Sequence, residues 1–477
     1  MTPTGDADDR IRPYEENPFY WQYRDEPVLL LGGSVEDNLF QIPELEQHLD
    51  LLASVGGNYV RCTMSNRDEG NVWPHARDED SGLYDLTEWN DEYWSRFERL
   101  LELTAERDII VQIELWDSWE FYAPFDGWGR QPYNPRNNCN YTAQESGLPE
   151  VIDYCPFERI QPFFKSVPAL KDLVLVRRFQ EAYVDRVLAS ALPYDHVLYC
   201  VDNETNADPA WPRYWAEYVR AKASEEDLRI ETTEMWDNWD PSDGEVPGTM
   251  QQDESDHPFL HRSNPKVTIA NPDIYTFVDI SNHNPQRGQA HYETAMWVRR
   301  RLEDTGSVRP VTCVKIYGGK PTLNYSGPPE WGEERFWRNV FAGVSAVRFH
   351  RPRAGLGLSE LAQAHIRSMR LLTDRMDIFR CTPRNDLLRD RRENEAYCLA
   401  APGVEYAVCF MDGGEVGLDC SEAEGPLEVR WLEARSSAWS EPQTEQAGEN
   451  LRLRAPGGGI WAALIHHGGT EDTENGN

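Results

Sequence analysis

Lysine is scarce in this chain. Of 47 basic residues only six are lysines, at Lys165, Lys171, Lys222, Lys266, Lys315 and Lys320, and they stand against 82 aspartates and glutamates, leaving a formal charge of −35. A surface with that excess of negative charge repels phosphate backbones and anionic lipid, so neither nucleic acid nor a membrane surface is expected as a partner. Abundant acid with little lysine suits high ionic strength, where screening relieves self-repulsion, and a salt-loving source is expected. Long apolar runs are missing as well. No stretch reaches the roughly 18 residues a membrane span needs, and residues 1–10 are polar and acidic, so no transmembrane segment or secretory leader is expected and the expected location is cytoplasmic. The nine cysteines are odd in number and show no CxxC or CxxH spacing. Several lie inside apolar strand-like runs, which fits small buried hydrophobes better than a disulfide frame or a zinc site, and no metal is expected. Glycine-rich phosphate loops of the GxGxxG or GxxxxGK[ST] type are also lacking, which argues against a nucleotide-binding fold; no cofactor is expected.

What is present is organised around residues 196–206, His-Val-Leu-Tyr-Cys-Val-Asp-Asn-Glu-Thr-Asn. An unbroken, mostly apolar run that ends in polar side chains reads as a strand buried on both faces and delivering those side chains at its C-terminal end. Similar runs recur at 27–34, 58–64, 109–117, 229–237, 274–284, 309–317 and 346–352. Between them lie segments of helical periodicity, such as Leu45, Leu49, Leu52 and Val55 ahead of Gly56-Gly57. Eight strand-plus-helix units in succession predict a (β/α)8 barrel, of the TIM-barrel type, over 27–380. An arm (1–26) precedes it. From about Pro383 the chain turns to short strands split by Gly, Pro and Asp, predicting a small β-sandwich over 383–467 and a disordered tail over 468–477.

A barrel of this kind carries its chemistry where the strand C-termini meet. The residues expected there include Glu114 with Trp116, Asn203 with Glu204, Glu234 with Trp236, Asp279 with His283, Lys315 with Tyr317, and His350 with Arg351. Carboxylates interleaved with tryptophans suit a sugar: aromatic faces stack on pyranose rings while acids and amides bond hydroxyls. Each tryptophan taken singly also fits core packing.

Asn203-Glu204 closing the fourth strand resembles the acid/base signature of the retaining (β/α)8 glycoside hydrolases of clan A. The wider layout, from Asn17-Pro18-Phe19 and residues 28–34 to a terminal β-domain ending at 459–465, is similar to cellulase-like glycosidases with a C-terminal domain of the collagen-binding type. The resemblance implies that Glu204 protonates the glycosidic oxygen, that Asn203 bonds a substrate 2-hydroxyl, and that the substrate is a poly- or oligosaccharide. One departure stands out. Where the clan has a glutamate nucleophile at the end of strand seven, this chain has Lys315. A retaining mechanism needs two carboxyls about 5 to 5.5 Å apart, and lysine cannot be one of them. Three routes stay open: another acid, Glu234 or Asp279, acts as base or nucleophile; Lys315 itself is functional, as a cation that binds an acidic sugar beside Arg348, His350 and Arg351 or lowers the pKa of a nearby carboxylate, or as the Schiff-base amine of a lyase or aldolase; or the barrel binds glycans without cleaving them. The oligomeric state is not legible.

Overall fold

The computed structural model describes residues 9–122, 127–152, 161–205, 208–235, 266–281, 286–323 and 326–467. Eight parallel strands form one sheet: β1 (Leu30–Gly33), β2 (Tyr59–Thr63), β3 (Ile110–Asp117), β4 (Val197–Asn203), β5 (Thr232–Thr233), β6 (Val278–Asp279), β7 (Val311–Ile316) and β8 (Ala346–Phe349). Their order is β5-β4-β3-β2-β1-β8-β7-β6, so the sheet curls round until only β5 and β6 face each other across the seam. The seam is closed by other means. The Thr276 amide donates to the Thr232 carbonyl (2.8 Å), the Thr232 amide donates to the Thr276 hydroxyl (2.9 Å), and the Thr233 hydroxyl donates to the Phe277 carbonyl (2.7 Å). Threonine side chains thus replace part of the ladder, which is why β5 and β6 are two residues long where the sequence suggests nine or more.

A helix follows each strand: α1 (Leu45–Ser54), α2 (Asp91–Ala105), α3 (Val174–Ala191), α4 (Ala210–Glu225), α5 (Lys266–Ala270), α6 (Gly288–Asp304), α7 (Pro329–Phe341) and α8 (Glu360–Thr373). Alternation along the strands divides their side chains. Leu30, Tyr59, Ile110, Leu198, Phe277, Val314 and Ala346 fill the barrel, while Leu31, Val60, Val111, Tyr199, Cys313 and Val347 pack under the helices. Close approach is needed at Gly32, where a Cβ would sit 1.9 Å from the Tyr59 carbonyl oxygen.

The segment ahead of β1, expected as an arm, is a small antiparallel sheet of Arg12–Pro13, Trp21–Tyr23 and Glu26–Val28. Ile11, Trp21 and Tyr23 join the barrel-interior cluster from below, with Trp21 fully buried and edge-on to Phe277 (ring centroids 5.2 Å apart). The N-terminal mouth is therefore plugged, which leaves the C-terminal mouth for chemistry.

The C-terminal region is built from two antiparallel sheets, one centred on Ala396–Ala401, Glu405–Phe410, Trp461–His467 and Pro426–Glu433, the other made of Leu388–Arg389, Glu415–Leu418 and Leu451–Arg454. Its first sheet is buried on both faces: Cys398, Val408 and Phe410 face the second sheet, and Tyr397, Leu399, Ala407 and Cys409 face the barrel core. A polar latch adds to this contact. Glu333 on α7 accepts from His365 on α8 (2.6 Å) and from Arg435 of the C-terminal region (2.6 and 2.8 Å).

Candidate functional site at the C-terminal mouth of the barrel

Glu204 is the first residue beyond β4, and its backbone is left-handed, with φ at 56°. A glutamate in that region costs about 1 to 2 kcal/mol and persists only when its surroundings demand it. Here they do. The Glu204 amide donates to the Met235 carbonyl beyond β5 (2.9 Å), and Ser118 donates its hydroxyl to the carbonyls of Asn203 (3.0 Å) and Glu204 (2.5 Å). Beneath the turn, Asp202 is fully buried and accepts from the Met235 amide (2.8 Å) and the Thr205 hydroxyl. Burial pushes the Asp202 carboxyl up to about 7. These contacts turn the Glu204 side chain into the mouth.

Opposite stands Lys315, whose ammonium contacts the Glu204 carboxylate. The lysine side chain is 2 % exposed and the glutamate 20 %. Strict alternation on β7 would point residue 315 away from the interior once Val314 points in. A bulge decides otherwise. The β7–β8 register shifts between Cys313 and Ile316, giving β7 one extra residue, and both Val314 and Lys315 turn inward. Burial works to raise the Glu204 pKa, but the charge and hydrogen bond of Lys315, with Arg61 and Arg67 behind them, outweigh it, and the carboxylate is held below its ordinary value. In the resting site Glu204 is an anion.

Beside this pair lies an ion network centred on Asp37. Arg61, wholly buried in the barrel, binds Glu114 with two bonds (2.5 and 2.6 Å), Asp37 (2.9 Å) and the Asn203 side-chain oxygen (2.8 Å). Asn203 in turn donates to Asp117 (2.6 Å), which fixes which way its amide faces. Arg67 bridges Asp37 (2.6 Å) and Asp117 (3.2 Å), Arg348 reaches Asp37 (3.2 Å), and Arg351 reaches Glu36 (2.6 Å), Asp68 (2.9 Å) and Asp37 (3.3 Å). Against the cost of burial, these cations hold Asp37 well below the usual carboxylate range. His350, 3.5 Å from Asp37, has its pKa driven well down by burial, the nearby arginines assisting, so it is neutral. The local positive patch expected around Lys315, Arg348 and Arg351 is instead a set of ion pairs.

The residues expected at the mouth are thus distributed as follows. Glu204, Lys315, Asn203 and Glu114 are brought together. Asp279 lies deeper, accepting from the Ser281 amide (2.7 Å), Thr312 (3.2 Å) and Gln112 (3.5 Å), with its pKa raised by burial. Glu234 is turned towards the helix layer, where Thr268 of α5 donates to its carboxylate. Trp116 also faces the helices, 3 % exposed and packed between Tyr183 and Trp215 (ring centroids 4.9 and 5.4 Å). Tyr317 and His350 meet edge-on at the rim (5.1 Å), with Arg351 beside them. Trp236 and His283 lie outside the described residues. Sequence reasoning passed over Arg67 and Asp68 in the loop after β2, and Glu120, whose buried carboxyl is pushed up to about 8 by burial and by Asp117. Loop residues with no periodic pattern offered no signal for them.

No protein-family profile matches the chain, and a search of curated proteins finds no match. Solved structures are similar to it. A glycoside hydrolase family 5 protein from Bacteroides vulgatus superposes with a TM-score of 0.64 at 11 % identity, over 97 % of this chain and 93 % of its own. A second structure, described as a glycoside hydrolase, superposes with a TM-score of 0.61 at 10 % identity over 99 % of both chains. The likeness spans the barrel and the C-terminal sheets together, so the fold is the one these two structures share, a (β/α)8 barrel with an added C-terminal β-domain.

Proposed function

We propose that this chain is a glycosidase acting on a poly- or oligosaccharide, with Glu204 as the carboxyl that protonates the departing oxygen. The observation that carries the reading is the position of Glu204. Among the described residues it is the carboxylate that the backbone turns into the mouth and that has no ion pair to an arginine, whereas Glu114, Asp37 and Asp117 are each tied to at least one. Asn203, braced by Arg61 and Asp117, stands next to it as a polar group for a sugar hydroxyl. The full-length likeness to two glycoside hydrolases supports the same class, while a shared fold alone hosts many chemistries.

A second reading has its own observation. A general acid must carry its proton, and the Lys315 ammonium keeps Glu204 ionised in the resting site, as suits a barrel that binds glycans and does not cleave them. Turnover of a panel of poly- and oligosaccharides by the native chain, Glu204→Gln and Lys315→Glu separates the two. A glycosidase loses roughly 100-fold or more of its activity in Glu204→Gln while glycan binding survives. A binding barrel shows no turnover until Lys315→Glu supplies a second carboxyl.

A further inference from the structure

The mouth presents a puzzle that the sugar-site reading leaves open. Cleavage of a glycosidic bond needs a proton for the departing oxygen and a nucleophile for the anomeric carbon. Glu204 is ionised by Lys315 and so lacks the proton, and the position facing it holds a cation where a nucleophilic carboxylate is expected. The described acids nearest in the fold are committed elsewhere: Glu114 to Arg61, Glu234 to Thr268, Asp279 to Ser281 and Thr312. Both deficits are met at once by a single added component, a small oxyanion that takes the place of Glu204 as the partner of Lys315.

We propose that Lys315 holds an inorganic phosphate at the mouth, that this phosphate is the nucleophile, and that its arrival frees Glu204 to act as the general acid, so that the enzyme is a glycoside phosphorylase. The proposal rests on the sugar-site reading above and names its co-substrate. A lysine ammonium is a compact point charge with three donors and a common phosphate ligand. Its neighbourhood is less negative than the formal count suggests. Glu114 is neutralised by its two bonds to Arg61, and burial raises the pKa of Asp202 and Asp279, which the lysine's charge also reaches. Among the described residues at the mouth, Lys315 is the cation whose carboxylate partner has no ion pair to an arginine, so exchanging that partner breaks no pairing with one. The Asp37 network of arginines, by contrast, is closed.

The step balances. Dihydrogen phosphate enters, gives one proton to Glu204, and pairs with Lys315 as the dianion. One phosphate oxygen forms the new bond to the anomeric carbon as the glycosidic carbon–oxygen bond breaks. The departing oxygen keeps the electron pair and takes the proton from Glu204, which returns to its ionised, lysine-paired state. The products are a glycosyl phosphate of inverted anomeric configuration and a shortened glycan or free sugar. No oxidant or further reactant is required.

The test uses the full chain with a panel of neutral oligosaccharides, with and without inorganic phosphate, read by phosphorus NMR for a glycosyl phosphate and by release of reducing sugar. Expected are a glycosyl phosphate signal, release that depends on phosphate, a loss of roughly 100-fold or more in Lys315→Met, and partial retention in Lys315→Arg, both variants folded by circular dichroism. Release at one rate with and without phosphate and no phosphorylated product would overturn the proposal and leave the glycosidase reading in place. No release under either condition overturns it too, and calorimetric titration of the same oligosaccharides then decides separately whether the mouth is a sugar site at all.

Discussion

At the scale of single residues, the account turns on which charges at the mouth are satisfied. Arg61 is the strut of the network: it is buried among Asp37, Glu114 and Asn203, and removing it leaves Glu114 without its cation away from water and takes one of four arginines from Asp37. Loss of one partner from a buried ion pair costs about 3 to 5 kcal/mol, so Arg61→Met should lower the unfolding free energy by that amount in chemical denaturation, and a change under about 1 kcal/mol would contradict the network's role. Much of this scale was legible in the sequence. Asn203 and Glu204 close an apolar run, and the place of a strand's last side chains follows from the fold itself. Trp116 shows the limit. It follows Glu114 by two residues, yet its ring turns to Tyr183 and Trp215 behind the sheet, because the large apolar gap between barrel and helices is where a tryptophan gains most. Composition near a strand end does not say which face a side chain takes.

At the scale of elements, the eight strands and the succession of helices follow from periodicity, but the lengths of β5 and β6 and the bulge in β7 do not. Threonine hydroxyls close the seam at β5 and β6, a substitution of side chain for backbone that no pattern of hydrophobicity records. The bulge is of the same kind: it sets the direction of Lys315, and it is visible only in the β7–β8 register. The join between α7, α8 and the C-terminal region gives a pH prediction. Although burial works to raise it, hydrogen bonds from His365 and Arg435 bring the Glu333 pKa down to about 2. A carboxyl depressed on folding contributes stability in full above its unfolded pKa, near 4.5, and loses it as the pH falls towards about 2. The native chain should therefore melt above Glu333→Gln at pH 6, the gap closing between about pH 4.5 and 2; a gap that stays constant over that range would contradict the latch.

At the scale of the whole molecule, the charge of −35 and the two-part architecture set the working conditions. Exposed carboxylates repel across the surface with a range of about 10 Å at 0.1 M salt and about 3 Å at 1 M. The melting temperature should rise steadily as potassium chloride is raised through that range, and a flat or falling response would remove the case for a salt-adapted surface. The same screening eases the approach of an anionic co-substrate to an acidic protein. Fold class and two-part layout were legible from the order of strand and helix signals; the plug formed by Trp21 and its neighbours was not, since an aromatic run ahead of the first barrel strand has no period of its own. At the mouth, function turns on whether Lys315 sets the charge of Glu204. Titration of the Glu204 carboxyl by carbon NMR, in the native chain and in Lys315→Met, measures it directly. The account predicts a pKa below the ordinary 4.5 in the native chain and well above it in the variant, where burial acts without the ammonium; the same value in both would contradict it.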